Sequence, residues 1–279
     1  MYQLDQRVAV ITGASRGIGR ATAFRLGRAG CRVTLIARDS DELSSVVDDL
    51  LSENIDASYF ACDLSDADAT VKIFNDILNQ YMHIDILVNC AGAGKFGRFH
   101  EMSIEEIVKP QRVPTDAALI VSRLVLPGMI VNSCGHIVNI LTPGSYFALP
   151  YLAAYTVSRW GLLGFTRALR EEVSQYGIGV SSVCPAWVNT DYIGNNNTDA
   201  DWFPSVAHIF PTIEPDDVAA HVLRAIQQNK KDVVTSWRLQ FFVSFYQHFP
   251  RLAVSALKLI GVFKPRRHVD NHRFLVKSL

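Results

Sequence analysis

The chain has 279 residues, 49% of them hydrophobic, and its 27 basic side chains balance its 27 acidic ones. That length suits one large α/β domain with a sizeable core, and zero net charge gives no reason to expect a nucleic-acid partner. Five cysteines, Cys31, Cys62, Cys90, Cys134 and Cys184, are scattered without a C-x-x-C pair, which excludes a disulfide framework and reads as reduced small hydrophobes. From the N-terminus, strands are predicted near 8–11, 32–37, 57–62, 84–89, 136–141, 179–184 and 232–234, as apolar runs suited to burial on both faces. Helical patterns alternate with them over roughly 17–29, 41–53, 66–81, 104–130, 154–176 and 215–228. Gly30 stands where a helix C-cap belongs, and Glu214-Pro215 fits an N-cap followed by proline at the first helical position. Such alternation predicts a Rossmann-type, doubly wound parallel sheet, with ligands outside the carboxyl ends of the strands.

The first βα turn is the most informative stretch. Thr12-Gly13-Ala14-Ser15-Arg16-Gly17-Ile18-Gly19 follows the strand Val8-Ala9-Val10-Ile11 and opens a helix. In that context Gly13 permits the tight turn, Gly17 lets backbone approach a diphosphate and Gly19 lets helix and strand pack closely. The anion then lies at the helix N-terminus. The second strand ends in Arg38; a guanidinium there, with Arg16 in the turn, suits the 2′-phosphate of NADP, whereas Asp39 would suit the ribose hydroxyls of NAD.

These features, with Cys62-Asp63-Leu64, Asn89-Cys90-Ala91-Gly92, Tyr155 followed four residues later by Arg159, and Pro185 followed by Thr190, resemble the short-chain dehydrogenase/reductase family over about residues 5–235. The resemblance implies that Asp63 with Leu64 meets the adenine, and that Asn89, Ala91 and Gly92 hold the ribose side. It implies further that Ser15, Ile18, Pro185, Val188 and Thr190 line the cofactor site, Thr190 at the nicotinamide or phosphates. It makes Tyr155 the acid/base, helped by a serine, a lysine and an asparagine, and puts Tyr155 and the lysine position, here Arg159, against the cofactor as well, the latter holding ribose. Here those three places hold Thr142, Arg159 and, counting back from Leu126-Pro127-Gly128-Met129, Pro114. A phenol titrates near ~10 and needs its ionisation eased to work near neutrality. Arg159 keeps the charge that does this but cannot shuttle a proton, Thr142 keeps a hydroxyl, and Pro114 offers no side-chain donor. Pro110 and Pro114 each remove a helical N–H, and the resemblance places a kink there.

The function implied is an NADP(H)-dependent oxidoreductase interconverting a carbonyl and an alcohol on a hydrophobic substrate, a lipid-like one among the candidates. Two other readings stay open: an NADP-binding protein that lost catalysis and serves as a sensor, and a site adapted to non-redox acid/base chemistry. Tyr146, Phe147, Leu149, Trp187 and Tyr192 are expected to form apolar substrate walls, and the polar stretch 191–212 a mobile loop over the crevice. His100 and His136 lack ligand-like spacing, so both are expected to be structural and no metal is expected.

Residues 1–235 are expected to form the Rossmann domain and 236–279 a helical extension. In its first part Leu239, Phe242, Val243, Tyr246 and Phe249 are expected on one side, opposite Gln240, Ser244, Gln247 and His248. A second segment, 252–263, is apolar apart from Arg251, Ser255 and Lys258, with Lys264, Arg266, Arg267 and His268 after it. Neither part reaches the ~20 apolar residues of a spanning helix. The extension is expected to cover the substrate site, to serve an oligomer contact, or to lie in a membrane interface through 237–267. It resembles the tails of membrane-associated short-chain reductases. Tyr2 to Gln6 show no basic, apolar leader, so a cytoplasmic location, if membrane-associated then on the cytosolic face, is expected, as is a homodimer or homotetramer.

Overall fold

Valine, isoleucine and leucine runs bounded by turn residues make the strands, and their burial on both faces requires helices on both sides. A computed structural model describes residues 3–196, 202, 210 and 212–259. Its strands are β1 (Val8–Thr12), β2 (Arg32–Ala37), β3 (Ala57–Ala61), β4 (Ile86–Asn89), β5 (Gly135–Ile140), β6 (Ile178–Cys184) and β7 (Asp232–Val234). They form a seven-stranded sheet ordered β3-β2-β1-β4-β5-β6-β7, with each pairing parallel. The order reverses between β1 and β4, and the crevice opens above their carboxyl ends.

The helices are α1 (Gly17–Arg28), α2 (Ser40–Ser52), α3 (Ala67–Tyr81), α4 (Ile104–Arg112), α5 (Ala118–Val131), α6 (Ala153–Val173), α7 (Tyr192–Asn195), α8 (Pro215–Gln228), α9 (Trp237–His248) and α10 (Pro250–Leu259). One face of the sheet is covered by a core of Leu26, Leu43, Leu50, Val222 and Ile226 against Ile11 and Leu35. The other face is covered by Phe74, Ile77, Val121, Val125 and Met129 against Val10 and Leu87.

One expectation is refined and one corrected. The helix predicted over 104–130 is present over Ile104–Val131, and a π-helical turn, Val113–Ala117, joins α4 to α5 within it. Pro110 and Pro114 are spaced by one turn and each removes an i→i−4 bond, and the wider turn absorbs the mismatch. It rests on α6, where Thr115 Oγ1 donates to the Ser158 carbonyl (3.3 Å). Phe249 does not share a face with Leu239 and Val243. It is the C-cap of α9 at φ −131°, half exposed, because the chain leaves the helix before Pro250.

All five cysteines are free thiols. His136 is buried on β5, its Nε2 2.8 Å from Ser181 Oγ.

Candidate active site

The site is built first from the β1–α1 turn. Gly13 has φ +66°, and a Cβ on it would stand 2.8 Å from Ala91 Cα; one on Gly19 would stand 2.2 Å from the Gly13 carbonyl oxygen. Thr12 ties the turn to the end of β4: its Oγ1 accepts from the N–H groups of Cys90 (3.0 Å) and Ala91 (3.1 Å) and donates to the Val88 carbonyl (3.3 Å). Helix α1 starts after Arg16 with no side-chain cap, which leaves its first N–H groups open to an anion.

Above this turn lies a cleft of about 960 Å³ lined by Gly13, Ser15, Arg16, Gly17, Ile18 and Gly19, by Arg38, Asp63 and Leu64, by Ala91 and Gly92, and by Thr190. Twelve of the predicted cofactor residues therefore meet there, with Lys109 from α4 beside them. The cradle without side chains, the open helix start and the flanking cations fit a dinucleotide diphosphate. Asp39 also lines the cleft, and its Oδ1 caps α2, accepting from Asp41 and Glu42 N–H at 3.0 Å. Arg38 is exposed and has no ion-pair partner among the described residues. Arg16 hydrogen-bonds Asn195 Oδ1 (2.6 Å) and lies 3.5 Å from Glu42. Although partial burial opposes it, the Asp63 carboxyl is held below its ordinary range by the Ser65 backbone and side chain, Arg38 and Lys109.

Other predicted residues lie apart from that lining. Asn89 is buried between strands, donating to Asn139 Oδ1 (2.8 Å). Pro185 is buried after β6, and Val188 bridges to Ile213. Thr142, Tyr155 and Arg159 form a second group. Tyr155 and Arg159 sit one turn apart on α6, 9% and 4% exposed, and the Arg159 Cζ lies 4.6 Å from the Tyr155 ring centroid. The ring is slotted between two glycines: a Cβ on Gly94 would come 2.6 Å from Tyr155 Cδ2, and one on Gly144 would come 3.3 Å from its Cε1. Thr142 Oγ1 accepts the Gly144 N–H (2.9 Å), so its hydroxyl proton is available to another acceptor. Burial alone would pull the Arg159 guanidinium down, and the Tyr155 and Tyr192 phenols more than offset that.

Tyr146, Phe147 and Leu149 gather in one apolar cluster with Tyr155, Phe96, Leu152 and Phe210, and Tyr192 packs against it. Trp187 is not among the cluster's described members. Helix α9 closes it: Phe242 lies 5.1 Å from Phe147, Tyr246 5.7 Å, and Leu239 and Val243 are buried. The expected loop 191–212 begins as helix α7; residues 197–201, 203–209 and 211 lie outside the described residues. Sequence reasoning missed the roles of Thr12, Gly94, Gly144 and Asp39. Only Asp39, followed by acids at the start of a helical pattern, carried a signal, that of an N-cap.

The model of the short-chain dehydrogenase family matches residues 7–201. A dehydrogenase/reductase SDR family protein 7-like from Drosophila melanogaster is 31% identical over 252 residues, 88% of this chain and 76% of the relative. Among solved structures, a metagenomic short-chain oxidoreductase in complex with NADP is 35% identical, with TM-score 0.72, covering 84% of this chain and 98% of that one. A variant of the actinorhodin polyketide ketoreductase with NADPH is 28% identical, with TM-score 0.74, covering 84% and 97%.

Proposed function

This chain belongs to the short-chain dehydrogenase family, and from that premise we propose that it interconverts a carbonyl and an alcohol on a hydrophobic substrate using NADP(H). The observation that carries the reading is Tyr155, its phenol under a buried guanidinium and its ring in an apolar cluster beside the dinucleotide cleft. Bound NADPH would supply the hydride that adds to the carbonyl carbon. Thr142 hydrogen-bonds to the carbonyl oxygen through its hydroxyl, keeping its proton, and orients it. Tyr155 then gives its proton to the developing alkoxide, and Arg159 stabilises the phenolate left behind. The relatives' nicotinamide cofactors and the ketoreductase among them support this chemistry. Pro114, with no side-chain donor, favours the second reading, a chain that binds NADP without turnover. Oxidation of NADPH by a panel of lipophilic ketones and aldehydes separates the two.

NADP over NAD is supported by Arg38 and Arg16 at the cleft. Charged hydrogen bonds contribute ~1.5–3 kcal/mol each, so Arg38→Ala and Arg16→Ala should each weaken NADPH binding ~10-fold or more. NADH binding should be unchanged. An equal loss for both cofactors would remove the arginines from the 2′-phosphate.

A hydrophobic substrate is supported by the aromatic cluster that α9 completes. The outer face of the same extension exposes Trp237 (76%), Phe241 (70%), Leu252 (62%) and Leu259 (87%). Residues 233–269 contain Arg238, Arg251, Lys258, Lys264, Arg266 and Arg267 and no acid, in a chain of zero net charge. Exposed aromatic and aliphatic side chains on α9 and α10, beside Arg238, Arg251 and Lys258, suit an anionic membrane surface. The protein should therefore sediment with phosphatidylserine vesicles at ~0.1 M salt and be released when Trp237→Ser and Phe241→Ser are combined. Retention of the unaltered protein in the supernatant would overturn this. Exposed Leu119, Val157 and Trp160 on α5 and α6 support self-association into a dimer or tetramer, which light scattering after size exclusion reads directly.

A further inference from the structure

A buried guanidinium is useful to a neighbouring phenol only if it is held in place, because its long side chain has many rotamers to choose from. Arg159 Nη2 has two acceptors, the Ala93 carbonyl at 2.9 Å and the Tyr192 hydroxyl at 3.1 Å. Its Nε is buried without a hydrogen-bond partner. Ala93 follows β4 and Tyr192 opens α7, so the guanidinium is gripped from two sides while it lies over the Tyr155 ring. Gly94 makes the meeting feasible: a Cβ there would stand 2.6 Å from Tyr155 Cδ2 and 2.8 Å from the Tyr192 hydroxyl oxygen. Tyr192 is itself anchored. Asn196 donates from Nδ2 to the Tyr192 carbonyl (2.7 Å) and accepts the Gly94 N–H on Oδ1 (3.0 Å). Burial pushes the Tyr192 phenol well up, against the pull of Arg159, so the hydroxyl keeps its proton and accepts from the guanidinium.

We propose that Tyr192 is a positioning residue for the acid/base pair, its hydroxyl holding Arg159 so that the guanidinium charge stays on Tyr155. This rests on the reductase reading of Tyr155. It gives α7 a specific task in a chain whose α4–α5 junction carries Pro114, which has no side-chain donor. Among the described residues, three further side chains bear on the Tyr155–Arg159 pair. Cys90 reaches it from the end of β4 as a neutral thiol, pushed by burial to about 12. Thr142 comes from the end of β5 and Tyr192 from α7.

The test is Tyr192→Phe, which keeps the ring and removes only the hydroxyl; a thermal melt checks that the fold is intact. Turnover should fall ~10-fold, the scale of one charge-assisted hydrogen bond. NADPH affinity, read by nicotinamide fluorescence, should stay within about twofold. The pH at which alcohol oxidation reaches half its plateau should rise, because the guanidinium is then held less firmly over Tyr155. A second measurement needs neither turnover nor cofactor. Ultraviolet difference titration of the protein against its Tyr155→Phe variant isolates ionisation of this one phenol, and Tyr192→Phe should move it to higher pH. An unmoved ionisation would overturn the proposal. So would tighter NADPH binding with an unmoved ionisation, which would make Tyr192 an occupant of the cofactor's place. If the unaltered protein reduces no carbonyl, the reductase reading fails, and the difference titration still decides whether Tyr192 holds Arg159.

Discussion

Tyr155→Phe is expected to lower carbonyl reduction by ~10²–10⁴-fold, the usual contribution of a positioned proton donor, with NADPH affinity within about a factor of two of the unaltered protein. The substitution is unusually clean here. The ring sits in a slot cut by Gly94 and Gly144 and makes an edge contact with Phe96 at 5.2 Å, and all of that packing survives in phenylalanine. The cation–π contact with Arg159 survives as well. What is removed is one hydroxyl and its proton. Steady-state rates with NADPH and the best ketone of the panel, beside fluorescence titration of the cofactor, measure both quantities. A variant that turns over at the original rate would take Tyr155 out of the chemistry. Firm NADPH binding by an unaltered protein that turns over nothing would favour the non-catalytic reading instead.

The second large effect is expected at Gly19. An alanine Cβ there would lie 2.2 Å from the Gly13 carbonyl oxygen, 2.7 Å from its carbon and 2.9 Å from Ala14 Cα. Every one of these is backbone, so no side chain can swing aside. Helix α1 must back away from the β1 turn, which opens the cradle and spoils the packing of Ala23 and Leu26 against the sheet. Overpacking of this kind costs ~1–3 kcal/mol. Cofactor affinity should fall by ~100-fold or more, as when aligned charge-assisted hydrogen bonds are lost. Gly164→Ala is the matched control. It lies inside α6 with nothing within 4 Å of the added methyl, and helix propensity alone predicts a gain of ~0.5–1 kcal/mol. Thermal melts and NADPH titration of both variants decide it. Unimpaired binding by Gly19→Ala would show that the close approach of α1 to the turn is not what forms the phosphate cradle.

The order of strands and helices was legible in the chain because it depends on local pattern. Strands such as 32–37 and 178–184 are short, apolar and buried on both faces, and the amphipathic repeats between them set the helices. The β1–α1 turn was legible for a related reason: positive φ at Gly13 and Gly17 and the tight contact of Gly19 leave glycine as the residue that fits. Tyr155 and Arg159 were singled out by the family resemblance, and their spacing of four residues puts them on one helix face. Boundaries were less secure where prolines intervene, and the π turn at Val113–Ala117 is a compromise between local bond loss and the packing of Thr115 on α6.

What only the tertiary structure decided are contacts between segments distant along the chain. Thr12 reaching Cys90 and Ala91, Gly94 and Gly144 flanking one ring, Tyr192 meeting Arg159, and α9 closing the cluster around Phe147 each join elements brought together by the sheet. No local periodicity encodes such a meeting, because the partners' relative placement is set by the sum of packing over the whole core. Asp39 shows the same division on a small scale. By sequence it was read only as a possible ribose acceptor, and the bonds from Asp41 and Glu42 show that it also caps the start of α2. The chain by itself therefore determined a parallel α/β sheet, a dinucleotide turn and a tyrosine beside a cation. How that cation is held, and what walls surround the tyrosine, were decided by the fold.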